Sequence, residues 1–137
     1  MVIDTSALIA ILLREPEGAA FRTAILADDV RLFSAVSKLE AAMVLIGRTD
    51  PGAASDLADL MRELMVTVLP FDERQAHIAR DAFIRYGKGR HRAGLNFGDC
   101  AAYALALAEA EPLLFKGTDF AATDVECVRM GEGEVAK

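Results

Sequence analysis

Short apolar runs of strand character alternate with longer helix-like segments along nearly the whole chain, and this alternation limits the folds open to it. Val2-Ile3, Arg31 to Ser34, Val66 to Leu69, Leu113 to Phe115 and Val125 to Val128 read as strands. Between them, Ser6 to Leu13 reads as a helix with Ser6 as a candidate cap. A second helix opens at Pro16 and runs to about Asp28. Further helices are expected over Ser37 to Gly47, from Pro51 to about Met65 with Asp50 as cap, over Asp72 to Tyr86 and over Gly98 to Ala110. Residues 87–97 form a glycine-bearing loop. Strands joined through helices form parallel sheets, and helices with one apolar face need both sides of such a sheet. The expectation is a three-layer α/β/α fold with a central parallel sheet. It forms one domain over residues 1–130, followed by a frayed tail over 131–137.

The chain has 137 residues, enough to bury a core without disulfides. Hydrophobic residues make up 53 % of it, yet the longest apolar run, Ala7 to Leu13, is far too short to span a bilayer. The surplus apolar surface points to an interface with another chain. Ile9, Leu12, Leu13, Met43 and Leu45 cannot all face one direction at helical spacing, so some of them are expected to lie exposed. Asp4 stands where a secretory leader would carry cations, and a cytoplasmic setting is expected. Cys100 and Cys127 are too few and too far apart for a metal knuckle or a redox pair and read as core residues.

Ligands of open parallel sheets bind beyond the carboxyl ends of the strands. Asp4 follows the first strand directly. Glu40 falls in the first turn of the helix after the second strand. Asp99 opens a helix, and Asp119 follows the Leu113–Phe115 strand after the turn Lys116-Gly117-Thr118. Carboxylates brought together repel one another unless cations neutralise them, and oxygen-only ligands suit Mg²⁺ or Mn²⁺ rather than zinc. Structural roles compete with this reading. Ser37-Lys38-Leu39-Glu40 matches a capping box, Asp99 would complement a helix dipole, and aspartate is common in turns such as that at Asp119. Ser6 is either a helix cap or a support for a ligand or phosphate. Asn96 is either a turn residue or a hydrogen-bonding partner of a carboxylate.

The net charge of −6 runs against the basic surface expected of a nucleic-acid binder, but bound cations invert the field of an acidic pocket. Positive charge is concentrated in Arg85 to Arg92, where Arg85, Lys88, Arg90 and Arg92 occur with no acid among them. Lys88, Arg90 and Arg92 are the candidate phosphate contacts, with Tyr86 or His91 as stacking partners for a base. A solvated basic loop is the alternative.

Four blocks, Val2 to Leu8, Ser34 to Ala41, Leu95 to Cys100 and Leu113 to Phe120, together with Thr123-Asp124, resemble the VapC toxins of the PIN-domain family in order and spacing. The resemblance implies a PIN fold and an acidic site made of Asp4, Glu40, Asp99 and Asp119. Asp4 and Asp99 would be the more direct ligands of Mg²⁺, Mn²⁺ being possible, with Glu40 and Asp119 nearby or holding ligated water. It further implies an endoribonuclease acting on structured RNA such as tRNA or rRNA, and a homodimer inhibited by a cognate VapB-like antitoxin. Other readings fare worse. A haloacid-dehalogenase-type phosphatase wants a second acid two residues after the first, where this chain has Ser6. A non-catalytic module would use the acids only as caps. A housekeeping PIN ribonuclease would lack an antitoxin.

Overall fold

The computed structural model describes residues 1–48 and 52–130. Its strands are β1 (Val2–Ile3), β2 (Leu32–Ser34), β3 (Thr67–Leu69) and β4 (Leu113–Leu114), paired in the order β3-β2-β1-β4 and parallel throughout. The helices are α1 (Thr5–Leu12), α2 (Gly18–Leu26), α3 (Ala35–Arg48), α4 (Ala53–Glu63), α5 (Glu73–Tyr86) and α6 (Phe97–Glu109). From β1 the chain steps outward to β2 and β3, then returns across the sheet to β4 on the other side of β1. The order reverses between β1 and β4, and the crevice at such a point is where open α/β sheets hold ligands.

Consecutive strand residues face opposite sides of the sheet, and this divides the core in two. Ile3, Phe33 and Leu114 pack with Leu8, Phe21, Ile25, Leu45 and Leu64 on the side of α1 to α4. Val2 and Leu113 pack with Tyr103, Leu105, Ala82 and Leu95 on the side of α5 and α6. The expected three-layer α/β/α arrangement is therefore present.

Local chemistry sets the helix starts. Asp72 caps α5 by accepting the Gln75 N–H at 2.9 Å. At α6, Asn96 accepts the Asp99 N–H at 2.9 Å while Asp99 accepts the Asn96 N–H at 3.0 Å, a reciprocal capping box.

Three expectations about the elements are corrected. Ser6 does not cap α1; Asp4 does, two residues earlier. The capping box at Ser37 to Glu40 does not form, because α3 already begins at Ala35, where the Ser34 hydroxyl accepts the Val36 N–H at 3.2 Å. Ser37 is instead buried within the helix. The last strand shrinks to a single parallel bridge between Cys127 and Leu113. The capping position assigned to Asp50, the helix opening at Pro51 and the tail 131–137 lie outside the described residues.

Candidate active site

The acid at the tip of β1 is placed by its own helix. The Asp4 carboxylate accepts the Ser6 backbone N–H at 3.1 Å and the Ser6 hydroxyl at 2.6 Å. The same hydroxyl accepts the backbone N–H of Lys116 at 2.9 Å, joining the exits of β1 and β4 across the crevice. Asp4 is 5 % exposed. Burial pushes its carboxyl up to about 7, and the charges of Asp99 and Glu40 add to this, against the lowering effect of the Ser6 hydrogen bonds.

Asp99 projects from the first turn of α6, with its carboxylate held by the Asn96 main chain. Its pKa is raised, first by partial burial and then by the charges of Glu40 and Asp119, although the Asn96 hydrogen bond opposes the shift. Glu40 comes from α3 on the other side. Its carboxylate fills the space beside the Gly98 Cα that a β-carbon there would occupy. A β-carbon on α6 at this position would displace the Glu40 carboxylate from its place beside Asp99.

Asp4, Glu40 and Asp99 line one hollow of about 320 Å³, together with Ser6, Glu15, Arg48 and Lys116. Asp119 is exposed just before a short 3₁₀ turn over Phe120–Ala122 and makes no side-chain cap. It lines a second hollow together with Arg92, and its charge is felt at Asp99. Three of the four candidate acids are thus brought into one hollow, and the fourth lines a separate one, near enough for its charge to act on Asp99. Among the described residues, no three His, Cys, Asp or Glu side chains are disposed to enclose a metal ion directly. The donor set is nevertheless all oxygen, and a buried carboxyl at the centre of three acids is the group a divalent cation would relieve.

The other candidates are placed less uniformly. Ser6 supports Asp4 rather than a helix start, and Asn96 holds Asp99 through its main-chain N–H. Residues 87–96 are not an open loop. Lys88 N–H donates to the Leu95 carbonyl, Leu95 N–H to the Tyr86 carbonyl, and Ala93 N–H to His91 Nδ1. Tyr86 is buried, edge-on to His91 and tilted against Tyr103, so it offers no face to a base. Lys88 and Arg90 are exposed, with Arg90 lying over the Phe83 ring, while Arg92 lines one hollow with Asp119.

Sequence reasoning treated Lys116 only as part of a turn and passed over Glu15 and Arg48, all of which line the acidic hollow. Lys116 obeys the same rule that exposed the acids, since it follows a strand tip. Its ammonium pairs with Glu15 at 2.6 Å and Glu17 at 3.4 Å. The hydrogen bond to Glu15, ahead of Glu17, holds that ammonium's pKa up.

The PIN domain family model matches residues 1–126. Ribonuclease VapC28 of Mycobacterium tuberculosis is 49 % identical over 127 residues, 92 % of this chain and 96 % of that protein. Ribonuclease VapC of Mycolicibacterium smegmatis is 48 % identical over 128 residues, 93 % of this chain and 99 % of its own length. Among solved structures, Mycobacterium tuberculosis VapC20, described as a sarcin-ricin loop cleaving toxin, superposes with a TM-score of 0.76 at 18 % identity, covering 93 % of this chain and 98 % of that one. VapBC2 of Rickettsia felis, solved bound to a DNA fragment from their promoter, gives a TM-score of 0.71 at 10 % identity, covering 95 % of this chain and 98 % of that one. The two structures share the fold, and the sequence relatives share nearly the full length, so this chain belongs to the PIN-domain family and, within it, to the VapC ribonucleases.

Proposed function

We propose that this protein is a metal-dependent endoribonuclease, the toxic half of a toxin–antitoxin pair, which cleaves structured cellular RNA such as tRNA or rRNA. One observation carries the reading: the buried Asp4 carboxyl at the β1 tip faces Glu40 and Asp99 in a single hollow at the switch point of the sheet. Kinship with VapC ribonucleases across 92 % of the chain supports it.

Asp4 and Asp99 would hold Mg²⁺, or Mn²⁺ in its place, with Glu40 and Asp119 reaching it through water. Bound there, the ion supplies Lewis acidity toward water and the scissile phosphate. The chain's own groups do the rest. Ser6 fixes the direction of the Asp4 carboxylate, and the Asn96 main chain fixes that of Asp99. Glu40 or Asp119 orients the attacking water. Arg92, beside Asp119, contacts a flanking phosphate, with Lys88 and Arg90 further along the same strand of RNA.

The partner of this site is a VapB-like antitoxin. Of the apolar residues expected to be left over, Ile9 and Leu45 are in the core, Leu12 and Leu13 pack partly against it, and Met43 alone is exposed. Met43 belongs to a stripe with Leu39 and Ile46, which are 63 %, 63 % and 52 % exposed in the order Leu39, Met43, Ile46, at helical spacing on α3. Val44 and Arg48 of the same helix line the acidic hollow. An amphipathic antitoxin helix lying on this stripe would carry its chain over the acids, and an arginine placed among them would replace the metal's charge. The protein acts in the cytoplasm as a homodimer; among the described residues no helix is long and apolar enough to cross a membrane.

The direct test is incubation of the purified protein with total tRNA and rRNA in Mg²⁺ and in EDTA. Discrete fragments in Mg²⁺ alone support the reading, and undiminished cleavage in thoroughly chelated buffer refutes the metal-dependent mechanism.

A further inference from the structure

A hollow lined by acids has to admit a polyanion, and a cation on its wall makes that feasible. Lys116 stands on that wall with Asp4, Glu40 and Asp99. Its backbone is not free to drift, because its N–H is tied through the Ser6 hydroxyl to Asp4 Oδ2. Its ammonium, however, is turned aside toward the loop after α1, onto Glu15 at 2.6 Å and Glu17 at 3.4 Å. The second of these contacts is poor. Glu17 is 11 % exposed, and its Oε2 is buried without a well-directed hydrogen-bond donor among the described residues. The lysine side chain itself is one-third exposed. Lysine is a point charge on a flexible stem, able to exchange one anion for another without moving its backbone.

We propose that Lys116 is a substrate-contacting residue, whose ammonium leaves Glu15 to bind a phosphate oxygen of RNA seated in the acidic hollow. The inference rests on the ribonuclease reading and names a residue of the same site. In the free protein the Glu15 pair keeps the cation from collapsing onto Asp4 and Asp99. On binding, the RNA phosphate takes the place of Glu15 and offsets its charge against the ammonium. A merely structural role, in which the ion pair only fastens the α1–α2 loop to β4, makes different demands and is separable by experiment.

The test measures binding of a short fluorescent single-stranded RNA to the full-length protein in EDTA over a salt series, alongside cleavage of total tRNA in Mg²⁺. Lys116→Gln is expected to weaken binding about tenfold and to make the slope of log affinity against log salt shallower by about 0.7. Lys116→Arg should restore both in large part. Because Lys116→Gln alone strands Glu15 and Glu17, all three charges are also removed together: Glu15→Gln/Glu17→Gln with Lys116→Gln should bind RNA more weakly than Glu15→Gln/Glu17→Gln alone, with an unchanged melting temperature between those two. Wild-type affinity and slope in Lys116→Gln overturn the inference, as does a loss of melting temperature with affinity and slope unchanged. RNA that binds in a Lys116-dependent way but is not cut in Mg²⁺ would instead overturn the nuclease reading and leave the contact standing.

Discussion

The carboxylate of Glu40, carried by α3, lies in the space that a β-carbon on Gly98 of α6 would need. Two helices from distant parts of the chain thereby meet through the Glu40 side chain alone at this point, one residue before Asp99. Gly98 lies in the first turn of α6 and is buried on this face, where its lack of a side chain leaves room for the Glu40 carboxylate.

Gly98→Ala is therefore expected to separate stability from activity. The methyl group displaces the flexible end of Glu40 rather than backbone, so melting temperature should hold and RNA cleavage should fall by at least about tenfold, a loss in the range of a misplaced acid–base group. Melting curves and initial cleavage rates on the same preparation check this. An active Gly98→Ala protein would mean that Glu40 need not occupy its observed position.

Asp4 makes the metal-free protein sensitive to pH. Its carboxyl titrates at about 7 in the folded chain against an ordinary 3.8. Between those values the folded state holds a proton that the unfolded state has lost. This group's contribution to stability therefore falls as pH rises from about 4 to about 7 and levels off above. Melting in EDTA should show wild type losing ground to Asp4→Asn across that window, with Asp4→Asn the more stable at pH above 7. Saturating Mg²⁺ should shrink the gap by stabilising wild type alone. Parallel curves for the two proteins in EDTA would show that Asp4 is not the strained group.

The stripe on α3 is tested by charge. Met43→Glu and Leu39→Glu place carboxylates on side chains that are already exposed, so the toxin should fold normally and cleave RNA at its usual rate. Binding to the antitoxin, followed by titration calorimetry, should weaken by at least about a hundredfold for Met43→Glu, as for loss of an anchor residue. Full-strength antitoxin binding combined with dissociation into monomers would assign the stripe to the homodimer.

Much of the fold was legible because its signals are local. The strand–helix alternation and the acids at strand ends and helix starts needed no tertiary information, and Asp4, Glu40 and Asp99 do share one hollow. The errors also have local causes. Ser34 and Ser37 are both competent caps, and only the packing of α3 decides for Ser34. Val125 to Val128 has the composition of a strand, but it pairs with β4 through a single bridge at Cys127, whose two hydrogen bonds join Leu113 to Glu126 and Val128. Tyr86 looked free for stacking because its neighbours in sequence are charged, whereas its neighbours in space are His91 and Tyr103. The pairing of Lys116 with Glu15 spans 101 residues, and no pattern within either segment announces it.

Asp99→Asn tests the central claim most directly, because the asparagine keeps the shape of the side chain and an oxygen to accept the Asn96 N–H while removing the charge. The measurement is sequencing of RNA 5′ ends after brief expression of wild type and Asp99→Asn in cells, with protein abundance matched. The expected result is a small set of new, discrete 5′ ends and growth arrest with wild type, and neither with Asp99→Asn. The same ends and the same toxicity from Asp99→Asn at normal abundance would contradict the assignment of this acidic hollow as the active site.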